Sequence, residues 1–242
     1  MTTPTAAMLV IGDEILSGRT RDANMHHLAG EFTRAGIDLK EVRVVADDPA
    51  AIVAAVNALR AGYDHVVTSG GIGPTHDDIT ADCIAAAFGV HIDVRADARA
   101  ILEARYEAMG VELNEARLRM ARIPDGATLI ANPVSGAPGF TLDNVHVMAG
   151  VPSVFQAMVA EILPTLDGGA PMLSQTVRVE RPEGELAGDL GAIAKGHPDV
   201  SIGSYPFIEN GAFGSNIVVR GRDNGAVSAA VQDVVKTFGE VA

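Results

Sequence analysis

The 242-residue chain has no tryptophan, and aromatic residues make up only 4% of it. Its core must therefore be aliphatic, and a hydrophobic content of 48% supplies that amply. Basic residues are scarce as well. Eighteen lysines and arginines stand against 31 aspartates and glutamates, for a formal charge of -13. Binding to DNA or RNA rests on basic side chains that neutralise phosphates, so this balance argues against a nucleic-acid partner. It leaves small anionic ligands open, because backbone amides or a bound cation supply local positive potential. The single cysteine, Cys83, cannot form an internal disulfide, and no Cys/His cluster has zinc spacing. Cys83 reads as a small buried residue. The opening residues MTTPTAAMLVIGDE lack the basic region and long apolar core of a signal peptide. No run reaches the roughly 18 apolar residues of a membrane span. The expectation is a soluble cytoplasmic protein without a membrane partner.

What is present is an alternation of short apolar runs and helical patterns. Ala6 to Ile11 reads as a buried strand ending at Gly12-Asp13-Glu14. Asn24 to Gly36 has helical periodicity, with Leu28 and Phe32 on one face and Gly36 as a stop. Glu41 to Val45 is β-branched, and Asp48-Pro49 then suits the N-cap and first turn of a helix carrying Ile52, Val53, Val56 and Leu59. His65 to Thr68 is a third strand and Ile79 to Phe88 a third helix. This order predicts βαβ units and a parallel sheet, an α/β class. Further helices are expected over Ala96 to Met109 and Glu112 to Arg122, and strands over Phe140–Leu142 and Val145–Met148. Gly150-Val151-Pro152-Ser153 opens another helix, with Ser153 as its expected cap. Thr165 to Pro171 reads as a boundary, dividing the chain into residues 1–165 and a small α+β subdomain of βαββα order over residues 166–242.

Ligands of parallel sheets bind beyond the carboxyl ends of the strands. Three such ends carry acids here: Asp13/Glu14, Asp47/Asp48 and Asp77/Asp78. They should share one rim. The third belongs to TSGGIGPTHDDIT, Thr68 to Thr80, where Gly70, Gly71 and Gly73 allow backbone N–H groups to approach a phosphate. This is neither a Walker loop nor GxGxxG. The ordinary alternative is a tight turn with Asp78 capping the helix that follows. Carboxylates repel phosphate unless a cation lies between them, but they hold Mg²⁺ well, commonly one or two at a time with phosphate oxygens and waters. Asp47 and Asp78 are the first candidates, Asp77 and Asp13 the next, and Asp48 is read as a cap. Ser69 and Thr75 either donate to a ligand or brace the turn, and His76 either meets a phosphate or is a surface residue. Ser135, Gly136 and Gly139 form a second anion-binding wall or a plain loop. Arg19 and Arg21 are candidates for ligand phosphates, and Tyr205-Pro206-Phe207, Arg220 and Arg222 are the subdomain's candidates for a ring or a charged ligand.

GDEIL at Gly12–Leu16 with Gly18, Asp22 and Asn24, then VADD ending at Asp48, then GGIGPT at Gly70–Thr75 with Asp77, Asp78 and Thr80, occur in that order, followed by Asn132, GAPG at Gly136–Gly139 and GVP at Gly150–Pro152. This set resembles the molybdenum-cofactor biosynthesis (MoCF, MoaB/Mog-like) domain superfamily, nearest the N-terminal domain of competence/damage-inducible protein A (CinA). The tail resembles that branch's second subdomain. The resemblance implies a three-layer α/β/α sandwich with a mostly parallel sheet. It implies molybdopterin as a ligand in the adenylyltransferase branch, and divalent-metal-dependent (Mg, Mn or Co) cleavage of a nucleotide pyrophosphate such as ADP-ribose or FAD in the CinA branch. The partner is then a nucleotide or a pterin phosphate, and the protein a homo-oligomer. Asp47 and Asp78 align with the two aspartates that matter most, and Gly70, Gly71, Gly73 and Pro74 would hold phosphate. Two departures stand out. An acid usual after Gly-Val-Pro is missing, since Ser153-Val154-Phe155 follows, and a deamidase domain carried by larger CinA proteins has no room in 242 residues.

Overall fold

In the computed structural model, which describes residues 3–209 and 211–239, the chain divides into two compact units at Gly169/Ala170. The first is built in chain order from β1 (Thr5–Ile11), α1 (Asp13–Leu16), α2 (Asn24–Ala35), β2 (Asp38–Val45), α3 (Pro49–Gly62), β3 (His65–Ser69), α4 (Thr80–Phe88), β4 (Ile92–Val94), α5 (Ala96–Ala108), α6 (Glu115–Leu118), β5 (Arg122–Pro124), β6 (Thr128–Ile130), β7 (Gly139–Leu142), β8 (Val145–Met148) and α7 (Pro152–Ile162). Its six-stranded sheet runs β2-β1-β3-β8-β7-β6. The four strands β2, β1, β3 and β8 are parallel, and β7 and β6 turn antiparallel at one edge. β4 and β5 pair separately.

The side-chain period of two explains both layers. Along β1, Ala7, Leu9 and Ile11 join Val66 and Val147 against Ile52, Val56 and Leu59 of α3 and Ile84 of α4. Ala6, Met8 and Val10 join Val67 and Met148 on the other face, against Leu28 and Phe32 of α2 and Phe155 and Met158 of α7. A strand buried on both faces must be apolar throughout, as Ala6 to Ile11 is. This is the expected α/β/α sandwich. The element ends follow local chemistry. Gly36 closes α2 in the left-handed conformation at φ 74°, and Asp48 caps α3 by accepting from the Ala51 N–H at 2.8 Å with Pro49 in the first turn.

Three local expectations are corrected. The helix expected over Glu112 to Arg122 is one turn, α6, capped by Asn114 accepting from Arg117 N–H at 3.0 Å; it tightens to a 3-10 turn over Arg119–Ala121 and becomes β5. A pairing with β4 wins over helical periodicity there. Ser153 is not the cap of α7, because Pro152 already occupies the first turn and Val151 is the capping residue. Asp78 does not cap α4, whose N-cap is Ile79 without a side-chain bond.

The second unit comprises β9 (Leu173–Val179), α8 (Glu183–Gly196), β10 (Ser201–Glu209), β11 (Ala212–Gly221) and α9 (Asn224–Phe238), the βαββα order. Its antiparallel sheet runs β10-β11-β9. Val177, Val179, Ile217 and Val219 pack on Leu186 of α8 and Val227, Ala230 and Val234 of α9. Arg178 stands 4.0 Å over the Phe207 ring, and Arg220 5.9 Å over Tyr205. No helix among the described residues is long and apolar enough to cross a membrane.

His146 on β8 is a buried histidine in the first unit's interior. It is 5% exposed, its Nδ1 lies 3.0 Å from Thr141 Oγ1, and its Nε2 has no partner. Burial, with the neighbouring His65 ring adding to it, pushes its pKa down to about 4. The folded state therefore refuses a proton that the unfolded chain accepts near pH 6.5. Stability should fall as pH drops from 6.5 to about 4, by roughly 3 kcal/mol in total from this group. Urea unfolding of the protein and of His146→Gln across that window checks it: the variant should show the shallower loss.

Candidate active site

The carboxyl ends of β1, β3 and β8 converge with almost no space between their backbones. Gly70, the residue after β3, has φ 111°, and a methyl group on it would overlap the Ile11 carbonyl oxygen of β1. Its N–H donates to Met148 O of β8 at 3.1 Å. A methyl on Gly150 would in turn sit 3.2 Å from the Gly70 Cα. Only glycine fits where three strand ends are drawn this close. The chain then turns through Gly71, at φ 67°, and is fastened by Thr80, which is fully buried at the start of α4. The Thr80 hydroxyl donates to Gly70 O at 2.9 Å, and its N–H donates to Gly71 O at 2.9 Å.

Above this junction lies a cleft of about 520 Å³. One wall is the turn Gly70–Pro74 with Asp77 and Asp78. Gly12, Glu14 and Asp47 form a second, and Asn132, Ser135, Ala137, Met120 and Gly150–Pro152 the far side. The sequence brought three acidic strand ends to one rim, and Asp47, Asp77, Asp78 and Glu14 do line one cleft. No lysine, arginine or histidine lines it among the described residues.

Each carboxylate is held differently. Asp47 is half-buried, and one of its oxygens accepts from the Asp13 N–H at 3.0 Å, the first amide of α1. Burial pushes the Asp47 carboxyl above its ordinary range; the Asp13 N–H opposes that, and the negative charges of Asp13, Glu14 and Asp77 add to it. Asp78 accepts from both the Thr75 N–H at 2.8 Å and the Thr75 hydroxyl at 2.6 Å. It braces the turn from inside and keeps one oxygen free. Asp77 is exposed, and the single proton of the Thr75 hydroxyl goes to Asp78 at 2.6 Å and not to Asp77.

Several candidates lie outside the cleft wall. Asp13 is exposed and contributes its amide, while Glu14, the next residue in the single-turn α1, faces the cleft. Ser69 is buried and accepts from Asn24 Nδ2 at 2.8 Å, and that same amide donates to Gly150 O at 2.8 Å. Thr75 is committed to Asp78, and His76 is exposed. Gly136 and Gly139 have structural reasons to be glycine. Gly136 is at φ 85° against the Arg105 side chain, and a methyl on Gly139 would strike the Val147 carbonyl oxygen of β8. Asn132 organises their loop, accepting from Val134 N and Ser135 N at 3.1 Å each and donating to Ala137 O at 2.8 Å. Where an acid is usual after Gly-Val-Pro, Ser153 is exposed, Val154 lines the cleft and Phe155 is in the core. Arg19 is exposed, and Arg21 lines a side pocket of about 60 Å³ ending at Asn24 and Ser69. Met120 and Thr20 line the cleft and carried no signal in the sequence, because their segments read as a continuous helix and as a loop.

Among the described residues no group of three or more His, Cys, Asp or Glu side chains is assembled as a ready cage for a metal ion. Asp47, Asp77 and Glu14 around one cleft nevertheless suit a cation such as Mg²⁺, which needs only one or two carboxylates when phosphate oxygens and waters complete its shell.

The fold and site define a three-layer α/β/α protein with an acidic, glycine-walled ligand cleft at the carboxyl edge of its sheet. Residues 7–168 match the family described as "probable molybdopterin binding domain", and residues 171–242 match "FAD synthase, middle domain". A CinA-like protein of Gemmatimonas aurantiaca is 36% identical over 202 residues, covering 78% of this chain and 47% of that protein. A probable FAD synthase of Caenorhabditis elegans is 31% identical over 252 residues, covering 94% of this chain and 48% of that protein. The chain thus spans about half the length of these curated relatives. The crystal structure of the protein CinA, of unknown function, from Thermoplasma acidophilum superposes with a TM-score of 0.62 at 32% identity, covering 67% of this chain and 98% of that one. The chain belongs to the MoCF family of probable molybdopterin binding domains and is related to its CinA-like members.

Two outcomes follow from the geometry. Gly70→Ala should destabilise the protein by about 3 kcal/mol or more, since the backbone angle and the Ile11 carbonyl both oppose a side chain; chemical unfolding measures it. Asp47 has a raised pKa in the folded state, so its contribution to stability declines as pH rises through that value. Asp47→Asn keeps an acceptor for the Asp13 N–H without the charge. Its Tm should equal or exceed that of the unaltered protein at pH 8, with the gap closing toward pH 4, as read by thermal melts.

Proposed function

We propose that the protein is a CinA-like, metal-dependent hydrolase of a nucleotide pyrophosphate, of the ADP-ribose or FAD type. One observation carries the reading: four carboxylates and a glycine turn share a cleft of about 520 Å³ that has no basic side chain in its wall. A phosphate entering it needs a cation between itself and the acids. Asp77, with Glu14 beside it, would hold a divalent metal, and the bound metal would polarise a phosphoryl oxygen and lower the pKa of a water. The chain's own residues do the rest. The amides of Gly71 and Gly73 receive phosphate oxygens, and Asp78 keeps the turn in shape through Thr75. The deprotonated Asp47 orients the attacking water and takes its proton. Ile72, Met120, Val151 and Val154 offer an apolar wall for a ring. Water oxygen bonds to one phosphorus as the bridging P–O bond breaks, giving two phosphate monoesters. The match of the second unit to a FAD synthase domain favours a nucleotide as substrate.

The family match over residues 7–168 favours a second reading, in which the same cleft takes molybdopterin, as ligand or for adenylyl transfer. Copurified pterin fluorescence, or ATP-dependent adenylylation of molybdopterin, would select it.

The protein is to be offered ADP-ribose and FAD with Mg²⁺, Mn²⁺ or Co²⁺. The expected result is metal-dependent turnover, reduced at least about 100-fold in Asp47→Asn and strongly in Asp78→Ala. Absence of turnover with every metal, or full turnover in both variants, overturns the reading.

A further inference from the structure

The cleft's lack of positive charge leads to the residue behind its glycine wall. A second cavity of about 20 Å³, room for about one water, adjoins the cleft and shares Gly71, Ile72, Gly73, Asp78 and Met120 with it. Two guanidinium groups enter this cavity, those of Arg119 and Arg122. Arg122 is fully engaged: it makes a two-pronged ion pair with Asp82 at 2.6 and 2.7 Å.

Arg119 is not engaged in this way. Its one hydrogen bond is a long 3.4 Å donation to the Asp78 carbonyl, and it makes no ion pair among the described residues. Its Nε is buried without a partner. Leaving a buried donor of a charged group unmade is costly, so a conformation of this kind is poised for a better acceptor. Guanidinium presents several donors in a planar fork that matches phosphate oxygens. The wall shared by the two cavities is thin, Gly71, Ile72 and Gly73 with the side chains of Asp78 and Met120 beside them. Arg119 also sits one residue before Met120, which forms part of the cleft wall itself.

Of the other basic groups, Arg21 lines the side pocket that shares Glu14, Thr20 and Gly150 with the cleft but none of the glycine turn. Lys40 pairs with Asp38 at 2.9 Å on β2, Arg105 donates to Val134 O at 3.1 Å, and Lys195 and Lys236 belong to the second unit. We infer that Arg119 is a ligand-binding cation of this site: on binding it leaves the Asp78 carbonyl and takes the phosphate held at Gly71–Gly73. This rests on the pyrophosphate reading above and adds to it a protein charge, at the glycine turn, that offsets the acidic wall. Through its bond to Asp78 O, the same side chain also links ligand binding to the segment that carries Asp77 and Asp78.

Isothermal calorimetry with ADP-ribose, inorganic pyrophosphate and adenosine, with Ca²⁺ in place of the activating metals so that ligand is bound and not turned over, tests the inference on the intact chain. Arg119→Gln keeps a donor for the Asp78 carbonyl without the charge, and Arg119→Lys keeps the charge without the fork. The Gln variant should bind ADP-ribose and pyrophosphate at least tenfold more weakly, with any affinity for adenosine unchanged, and the Lys variant should recover part of the loss. Equal affinity for both phosphate ligands in the Gln variant overturns the role of Arg119 while leaving the pyrophosphate reading intact. An equal loss for adenosine also overturns it, by marking a purely structural residue. If the unaltered protein binds neither phosphate ligand, the pyrophosphate reading itself fails and this inference with it.

Discussion

Backbone against backbone at Gly70 is the contact on which the site depends. Strands of a parallel sheet ordinarily diverge into loops at their carboxyl ends, and each loop finds its own partners. Here the end of β3 touches the end of β1 through Ile11 O and the end of β8 through Met148 O, with Gly150 closing from the other side. That closeness fixes where the glycine turn begins. It also places the β1 end, carrying Gly12 and Glu14, alongside the turn bearing Asp77 and Asp78. Asp47 then joins by accepting from the first amide of α1. Aliphatic packing on both sheet faces sets the strands in order, but side-chain packing alone would tolerate a looser junction.

The same junction creates an electrostatic problem that the composition foreshadows. A chain with 31 acids and 18 bases places four of the acids around one cleft and keeps Arg119 and Arg122 in an adjoining cavity. The upward displacement of Asp47 comes first from burial, and the neighbouring charges of Asp13, Glu14 and Asp77 add to it, so the site favours proton or cation uptake.

Much of this was legible in the sequence because the signals were local. Leu28, Phe32 and Gly36 define one helix without reference to anything distant, and Asp48-Pro49 defines the start of another. The glycine turn and its aspartates were legible for the same reason: strand, turn and helix are contiguous. What resisted reading depends on partners far away in the chain. Gly139 is required by the carbonyl of Val147 in the neighbouring strand, and Gly136 by Arg105 of α5. Arg119 and Met120 were lost inside an apparently continuous helical period, which β5 interrupts because it pairs with β4. The choice of Glu14 over Asp13 as the residue facing the cleft turns on a single helical turn, and a strand-end count cannot resolve it.

Thr80 has a consequence for how the cleft meets its ligand. Its hydroxyl and its amide tie the glycine turn to the first turn of α4. The turn cannot open without unwinding the helix behind it. The amides that would face a phosphate are consequently preorganised, and little ordering entropy is lost at that wall when a ligand arrives. Two hydrogen bonds from one buried threonine thus tie the near wall of the cleft to the helix behind it.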